Sequence, residues 1–279
     1  MARDLERAGF ESAWVGDHIA MPLTTTSRHP SSAGRPRAQR ASGAPQDLPW
    51  SPTEPWADSV VALATMAEAT STIRVGTGVM VAALRNPVIL AKQIATIDVL
   101  SGGRVELGVG AGWLTEEFDI VGVNVHDRGR RLDELLTVVK RCWEGSPEAF
   151  SGKWYSLPSG AQFHPVPTRS VPILIGGASP RAYERVLRCG TGWIGTASVA
   201  NLREGALDPI ARIKALARER GREPDSLDYV VRVNLAGAPL DSLTRVLPTL
   251  AEGGVTELVV EIPWSTDIDL DEWNDRLRE

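Results

Sequence analysis

The chain has little of what several kinds of chemistry require. Among 279 residues there are 2 cysteines, and neither Cys142 nor Cys189 stands in CxxC spacing. That excludes a disulfide framework and a cysteine-rich zinc site, and it fits a reducing cytoplasm. The 4 histidines, His18, His29, His126 and His164, are dispersed in unlike contexts, so no metal-ligand spacing appears. Lysine is confined to Lys92, Lys140, Lys153 and Lys214, none at the carboxyl end of a predicted strand, which argues against Schiff-base chemistry. Glu106 and Glu261 are strand acids, but Glu106 is followed by more strand and is expected below any barrel mouth, so the paired carboxylates of a glycosidase are not indicated. No apolar run is long enough to cross a bilayer, and the opening MARDLERAGF lacks the hydrophobic stretch of a signal peptide. A cytoplasmic location is therefore expected. The formal net charge of -5 argues against a dedicated nucleic-acid surface.

What is present is an ordinary globular composition, 43% hydrophobic and 23% charged, long enough for one large core. The stretch SGGRVELGVGAGWLT, residues 101–115, organises the rest. Val105, Leu107 and Val109 alternate with Glu106, Gly108 and Gly110, which is strand spacing, and Gly110 and Gly112 remove side chains where the strand ends. Several glycines at one strand exit point to close approach by a ligand or another backbone.

In chain order, residues 2–8 read as the end of a helix and 12–16 as a strand, and 19–55 form a long Pro- and Ser-rich loop or insertion containing Arg28, Arg35, Arg37 and Arg40. Helix is expected over 56–71, strand over 73–80, and helix over 87–100 with Asn86 as its cap. After the central strand come helices at 115–122 and 128–143, then an excursion over 146–170 with a small hairpin. Strands over 171–177, 192–196, 229–236 and 257–262 then alternate with helices over 179–189, 201–221, 239–253 and 270–277. Seven strand-helix units imply a parallel sheet. They read as a single (β/α)8 barrel domain over 1–279 that lacks its first strand. A doubly wound open sheet is the alternative, but GVGAGWLTEE does not supply the dinucleotide-binding spacing.

GFESAWVGDH, the run from IRVGTGVMVAALRNP to LSGGRVELGVGAGW, SGKWYSLP and VPILIGGASPRA together resemble the luciferase-like monooxygenase superfamily. Within it the likeness is to oxidoreductases that use the deazaflavin coenzyme F420. The resemblance implies a bacterial-luciferase-type TIM barrel with the cofactor across the carboxyl-end mouth. Relatives begin with a strand that is absent here, which implies a truncated or misassigned start.

The resemblance also implies roles. His18 of the DH motif would be the proton donor or acceptor, although spacing alone leaves it a loop-capping histidine. Asp17 would orient His18 or hydrogen-bond the cofactor ring. Gly78-Val79 would form a non-prolyl cis peptide backing the ring, with Gly110 and Gly112 beside it. Gly176, Gly177, Ala178 and Ser179 would hold the cofactor phosphate at a helix start, where backbone N–H groups and the macrodipole favour an anion; Thr196 and Ser198 would add hydroxyls. Trp113 replaces the glutamate of sugar-phosphate dehydrogenases and would form an apolar wall of the substrate pocket, which argues against glucose-6-phosphate as substrate. Arg35 and Arg37 are candidates for the acidic tail of the cofactor. The expectation is hydride transfer between coenzyme F420 and a small organic substrate, with a homodimer compatible. The alternatives are an FMN-dependent monooxygenase and a cofactor-binding barrel relative without turnover.

Overall fold

A computed structural model describes residues 1–27, 51–53, 55–235, 238–261 and 268–278. The basic cluster Arg28, Arg35, Arg37 and Arg40 lies outside them, so that expectation is not addressed. The strands are β1 (Ser12–Val15), β2 (Arg74–Thr77), β3 (Met80–Val81), β4 (Val105–Gly110), β5 (Phe150–Ser151), β6 (Ser156–Leu157), β7 (Ile173–Gly176), β8 (Gly192–Ser198), β9 (Asp228–Asn234) and β10 (Glu257–Val260). The helices are α1 (Ala2–Arg7), α2 (Ser59–Ala69), α3 (Pro87–Ser101), α4 (Thr115–Val121), α5 (Arg128–Cys142), α6 (Pro180–Cys189), α7 (Asp208–Glu219), α8 (Leu240–Thr244), α9 (Leu247–Glu252) and α10 (Leu270–Arg278).

The large sheet runs β1-β2-β4-β7-β8-β9-β10, all neighbours parallel, with β3 added to β4. Parallel pairing with a helical crossover after each strand rolls it into a nearly closed barrel. Among the described residues no strand pairs between β1 and β10, and side chains bring these edges together instead. Glu257 on β10 accepts from Ser12 Oγ and, at 3.2 Å, from Trp14 Nε1, both on β1, while its other oxygen takes Arg74 Nη1 at 2.7 Å. The small β5-β6 hairpin forms within the expected excursion.

Strand periodicity divides the core in two. Ile173 and Ile175, Trp193 and Ala197, and Tyr229, Val231 and Val233 point outward and are buried beneath the helices. Leu174, Ile194 and Val230 alternate with them and meet Trp14, Val79 and Val259 in a separate apolar cluster inside the barrel.

Local signals set the helix ends. Asn86 Oδ1 accepts from the N–H groups of Val88 (3.0 Å) and Ile89 (3.2 Å), Pro87 occupies the first turn, and Gly102 closes α3 at φ 69°. Of two long helices expected, one changes its winding and the other is divided. The stretch expected as one helix over 201–221 contains a π-helical segment, Arg203–Leu207, before α7, and the stretch over 239–253 divides into α8 and α9. Pro248 stands in the first turn of α9, where a missing N–H is tolerated, and Pro209 directly follows the π-helical segment.

Arg104, just before β4, joins three elements. Its guanidinium donates to the carbonyls of Ala67 and Ile73 at 2.7 Å, of Ser101 at 2.8 Å and of Thr70 at 2.9 Å, and also to Thr70 Oγ1. Arg104→Ala is expected to lower unfolding free energy by about 2–4 kcal/mol, because several half-buried carbonyls lose their donor together. Urea denaturation checks this; a loss within experimental error would show that water replaces the guanidinium.

Candidate active site

The barrel's carboxyl-end mouth starts at the exit of β1. Asp17 has no exposed side-chain surface and is held from two directions: Oδ1 takes Arg85 Nη2 at 2.6 Å, and Oδ2 takes the Val81 N–H at 2.9 Å. Arg85 also reaches Asp58 Oδ2 at 3.0 Å, and Asp58 is the N-cap of α2. Burial alone would lower the Arg85 pKa, but the Asp17 and Asp58 carboxylates outweigh it and raise the value. Asp17 therefore fixes the β1 exit against β3 and the start of α2.

His18 follows, 8% exposed. The carboxylate that reaches it comes from α4: Glu117 Oε2 lies 3.3 Å from His18 Nδ1, and Glu117 Oε1 accepts from Ile19 N–H at 2.5 Å. Glu117 is 1% exposed. Sequence reasoning left Asp17 either orienting His18 or hydrogen-bonding the cofactor ring, and missed Glu117, which is 99 residues away in the chain. The imidazole also sits edge-on to two indoles, with ring centroids 4.8 Å from Trp56 and 6.0 Å from Trp113. Trp113 and His18 are thus brought together.

The peptide Gly78-Val79 is cis, and it splits the expected strand over 73–80 into β2 and β3. This bulge carries the Val79 side chain into the barrel. A Cβ added at Gly110 would lie 2.8 Å from a Val79 methyl group, so a side chain there would displace Val79, and one at Gly176 would press on another Val79 methyl at 3.1 Å. Gly112, at φ +88°, abuts Phe118 and Val81 just beyond. Across the barrel Arg232 Nη1 donates to the Gly78 carbonyl, while its Nη2 meets Glu261 Oε1 at 2.5 Å. Arg232 carried no sequence signal; its register opposite Thr196 on β8 places it at the mouth.

The second half of the mouth is the start of α6. Gly177, at φ +115°, Ala178 and Ser179 are exposed, and Ser179 Oγ caps the helix by accepting from Ala182 N–H at 3.2 Å. Thr196 and Ser198 end β8, with Ser198 held in a capping box by Asn201. The cysteines stand apart from this chemistry. Burial pushes Cys142 up to about 11 and also raises Cys189, so both are thiols at neutral pH.

A family profile described as "Luciferase-like monooxygenase" matches residues 1–242. An uncharacterized protein of Mycobacterium tuberculosis (strain ATCC 25618 / H37Rv) is 31% identical, over 94% of this chain and 86% of its own length. An F420-dependent glucose-6-phosphate dehydrogenase of Amycolatopsis mediterranei (strain U-32) is 28% identical over 83% of this chain and 62% of its own length. Among solved structures, an F420-dependent secondary alcohol dehydrogenase in complex with an F420–acetone adduct superposes with a TM-score of 0.73. It is 18% identical and covers 100% of this chain and 93% of its own. At that identity it shows the shared fold.

Two expectations follow from α4. Glu117→Ala strips acceptors from His18 and from the Ile19 N–H, and should cost about 1–3 kcal/mol. Denaturation should register that loss, and the imidazole nitrogen shifts of His18 should change with it; unchanged shifts would show that His18 is oriented without Glu117. Glu116 accepts from Thr26 N–H at 2.8 Å and from Thr25 and Ser27 hydroxyls at 2.9 and 3.0 Å. Burial opposes its ionisation, but these bonds prevail and hold its pKa below the ordinary value. The contribution is present above the ordinary glutamate range and lost as pH falls through the lowered value. Exchange of the Thr26 amide should therefore accelerate on acidification, and in Glu116→Gln it should be fast already at neutral pH.

Proposed function

Because the chain belongs to the luciferase-like monooxygenase family, we propose that it is an oxidoreductase that moves a hydride between coenzyme F420 and a small organic substrate. The observation that carries this reading is the setting of His18: buried at the mouth, held at Nδ1 by Glu117, and flanked by Trp56 and Trp113. An imidazole so placed, between two indoles, is a group that can take or give a proton. The F420-dependent relative supports deazaflavin over FMN as the cofactor.

The residues present fit such a group. The Val79 side chain, set on Gly110 and Gly176, offers an apolar backing for a planar ring. The exposed backbone of Gly177, Ala178 and Ser179 at the start of α6 suits a phosphate, with Thr196 on the neighbouring strand. Gly78 and Gly112 keep the bulge and the β4 exit free of side chains, and Asp17 holds that bulge in place through Val81. Bound there, a deazaflavin supplies a two-electron hydride acceptor or donor. The protein's own part is the proton. When an alcohol is oxidised, the carbon gives up hydride and the hydroxyl gives up its proton to His18 at Nε2, the ring nitrogen opposite the one held by Glu117. In reduction the same nitrogen returns it to the carbonyl oxygen.

Trp113 bears on the substrate. An indole beside His18 favours an apolar carbon skeleton over a sugar phosphate, which would need charged or hydroxyl-binding partners at that wall.

Titration of the purified protein with oxidised F420 and with FMN tests the cofactor, and tight binding of F420 with weak binding of FMN is expected. His18→Ala should then lower turnover by roughly 10²–10⁴-fold while sparing most cofactor affinity. Preference for FMN, or full turnover without the imidazole, would overturn the reading.

A further inference from the structure

The hairpin that follows α5 gathers cations around one indole. The Arg130 and Arg131 guanidinium carbons lie 5.7 and 5.5 Å from the Trp154 ring centroid, and Lys153 Nζ lies 4.8 Å from it. Helical spacing alone would put the two arginines on α5; the lysine and the indole come from a turn that is pinned to it. Glu134, one turn further along α5, accepts the backbone N–H groups of Lys153 at 2.5 Å and of Trp154 at 2.7 Å. Gly152 precedes them because a Cβ there would collide with that same carboxylate.

The charges so assembled are incompletely answered. Asp127 pairs with Arg130 at 2.6 Å, and Glu134 is engaged with the turn. Among the described residues no carboxylate forms an ion pair with Arg131 or Lys153, and the buried Arg131 Nε has no hydrogen-bond partner. Holding like charges around one ring is unfavourable unless an anion joins them. Lys153 and Arg130 are exposed, while Trp154 and Arg131 are half-buried, so an anion arriving from solvent meets a preformed set of donors.

The cluster borders the site. Arg128, three residues before Arg131 on α5, donates from Nε to the Gly112 carbonyl at 3.1 Å. From α6, whose first residues follow the Gly177–Ser179 turn, Arg185 Nη2 donates to the Gly129 carbonyl at 3.0 Å. The first turn of α5 is thus the neighbour of the glycine exit of β4 and, through Arg185, of the second turn of α6.

We propose that Arg130, Arg131, Lys153 and Trp154 form a subsite for the carboxylate-rich tail that extends beyond the phosphate of a deazaflavin cofactor. Successive carboxylates would be taken by the guanidinium groups and the ammonium, with the indole as a flat support for the chain between them. FMN ends at its phosphate and cannot use these residues, so the subsite also discriminates between the two cofactors. This inference rests on the deazaflavin reading above.

The test compares tailed F420 with the form that keeps the phosphate but carries no glutamates, titrated by fluorescence into the wild type and into Arg131→Gln/Lys153→Gln. The wild type should bind the tailed form more tightly, and that margin should shrink as salt is raised. The double variant should lose about tenfold in affinity for the tailed form and nothing for the tail-free form. Its melting curve, matching the wild type, serves as the control for folding. Equal affinity of the wild type for both forms, or an equal loss for both in the variant, would overturn the subsite and leave the hydride-transfer reading standing. Binding of neither form by the wild type would remove that reading and the subsite with it.

Discussion

The buried Asp17 carboxylate is the group on which the geometry of the mouth depends. A carboxylate without exposed surface is costly unless it is paired and hydrogen-bonded, and here Arg85 and the Val81 N–H answer it from two elements. Those bonds tie the exit of β1 to the far side of the Gly78-Val79 bulge and, through Arg85 and Asp58, to the start of α2. His18 is the next residue, so its backbone is placed by the same constraint. Its ring is then turned by a different carboxylate, Glu117, which belongs to the helix after β4. Two buried acids, one for the backbone and one for the side chain, define where the imidazole stands.

The bulge turns this polar frame into an apolar surface. Val79 leaves the strand pairing and enters the barrel, where it caps the interior cluster of Leu174, Ile194 and Val230. Gly110 and Gly176 make room for it, so the glycine exits serve the protein's own packing as well as any ligand. Arg232 completes the arrangement from the opposite wall by donating to the Gly78 carbonyl. Its charge is balanced by Glu261 on the next strand. A larger residue at Gly110 would displace Val79 and with it the surface that a ring would meet.

Much of this was legible before any coordinates. Period-two spacing located the strands, and caps such as Asn86 and Ser179 located helix starts, because both signals are local. The cis peptide at Gly78-Val79 came from family resemblance rather than from spacing. What could not be read were contacts between residues far apart in the chain. Glu117 stands beside Glu116 in a helix, and nothing local distinguishes the acid that is 1% exposed from its neighbour that binds Thr25, Thr26 and Ser27 at the surface. Arg232 likewise reads as one polar residue in an alternating strand, and only closure of the barrel brings it to Gly78. The division of 239–253 into α8 and α9 is not marked by the apolar spacing, which runs on across Arg245 and Val246.

The two ends of the barrel use charge for different purposes. At the amino-terminal end Arg74 sits between Glu106 and Glu257 at 2.7 Å each, and Glu257 also bridges to β1. Burial raises the pKa of Glu106 despite Arg74, and burial with the nearby Glu257 raises that of Asp228. These two acids favour the folded state most when protonated, and that contribution fades as pH climbs through their raised values. Arg74 offsets the cost of the charged forms, and the network holds the two sheet edges together. At the carboxyl end each buried charge instead aims something: Asp17 the β1 exit, Glu117 the imidazole, Arg232 the bulge. Charges at the floor that close a seam can be replaced by any arrangement that still joins β1 to β10. Charges at the mouth cannot be exchanged so freely, because each one fixes the position of a particular group: the Val81 N–H, the His18 ring and the Gly78 carbonyl.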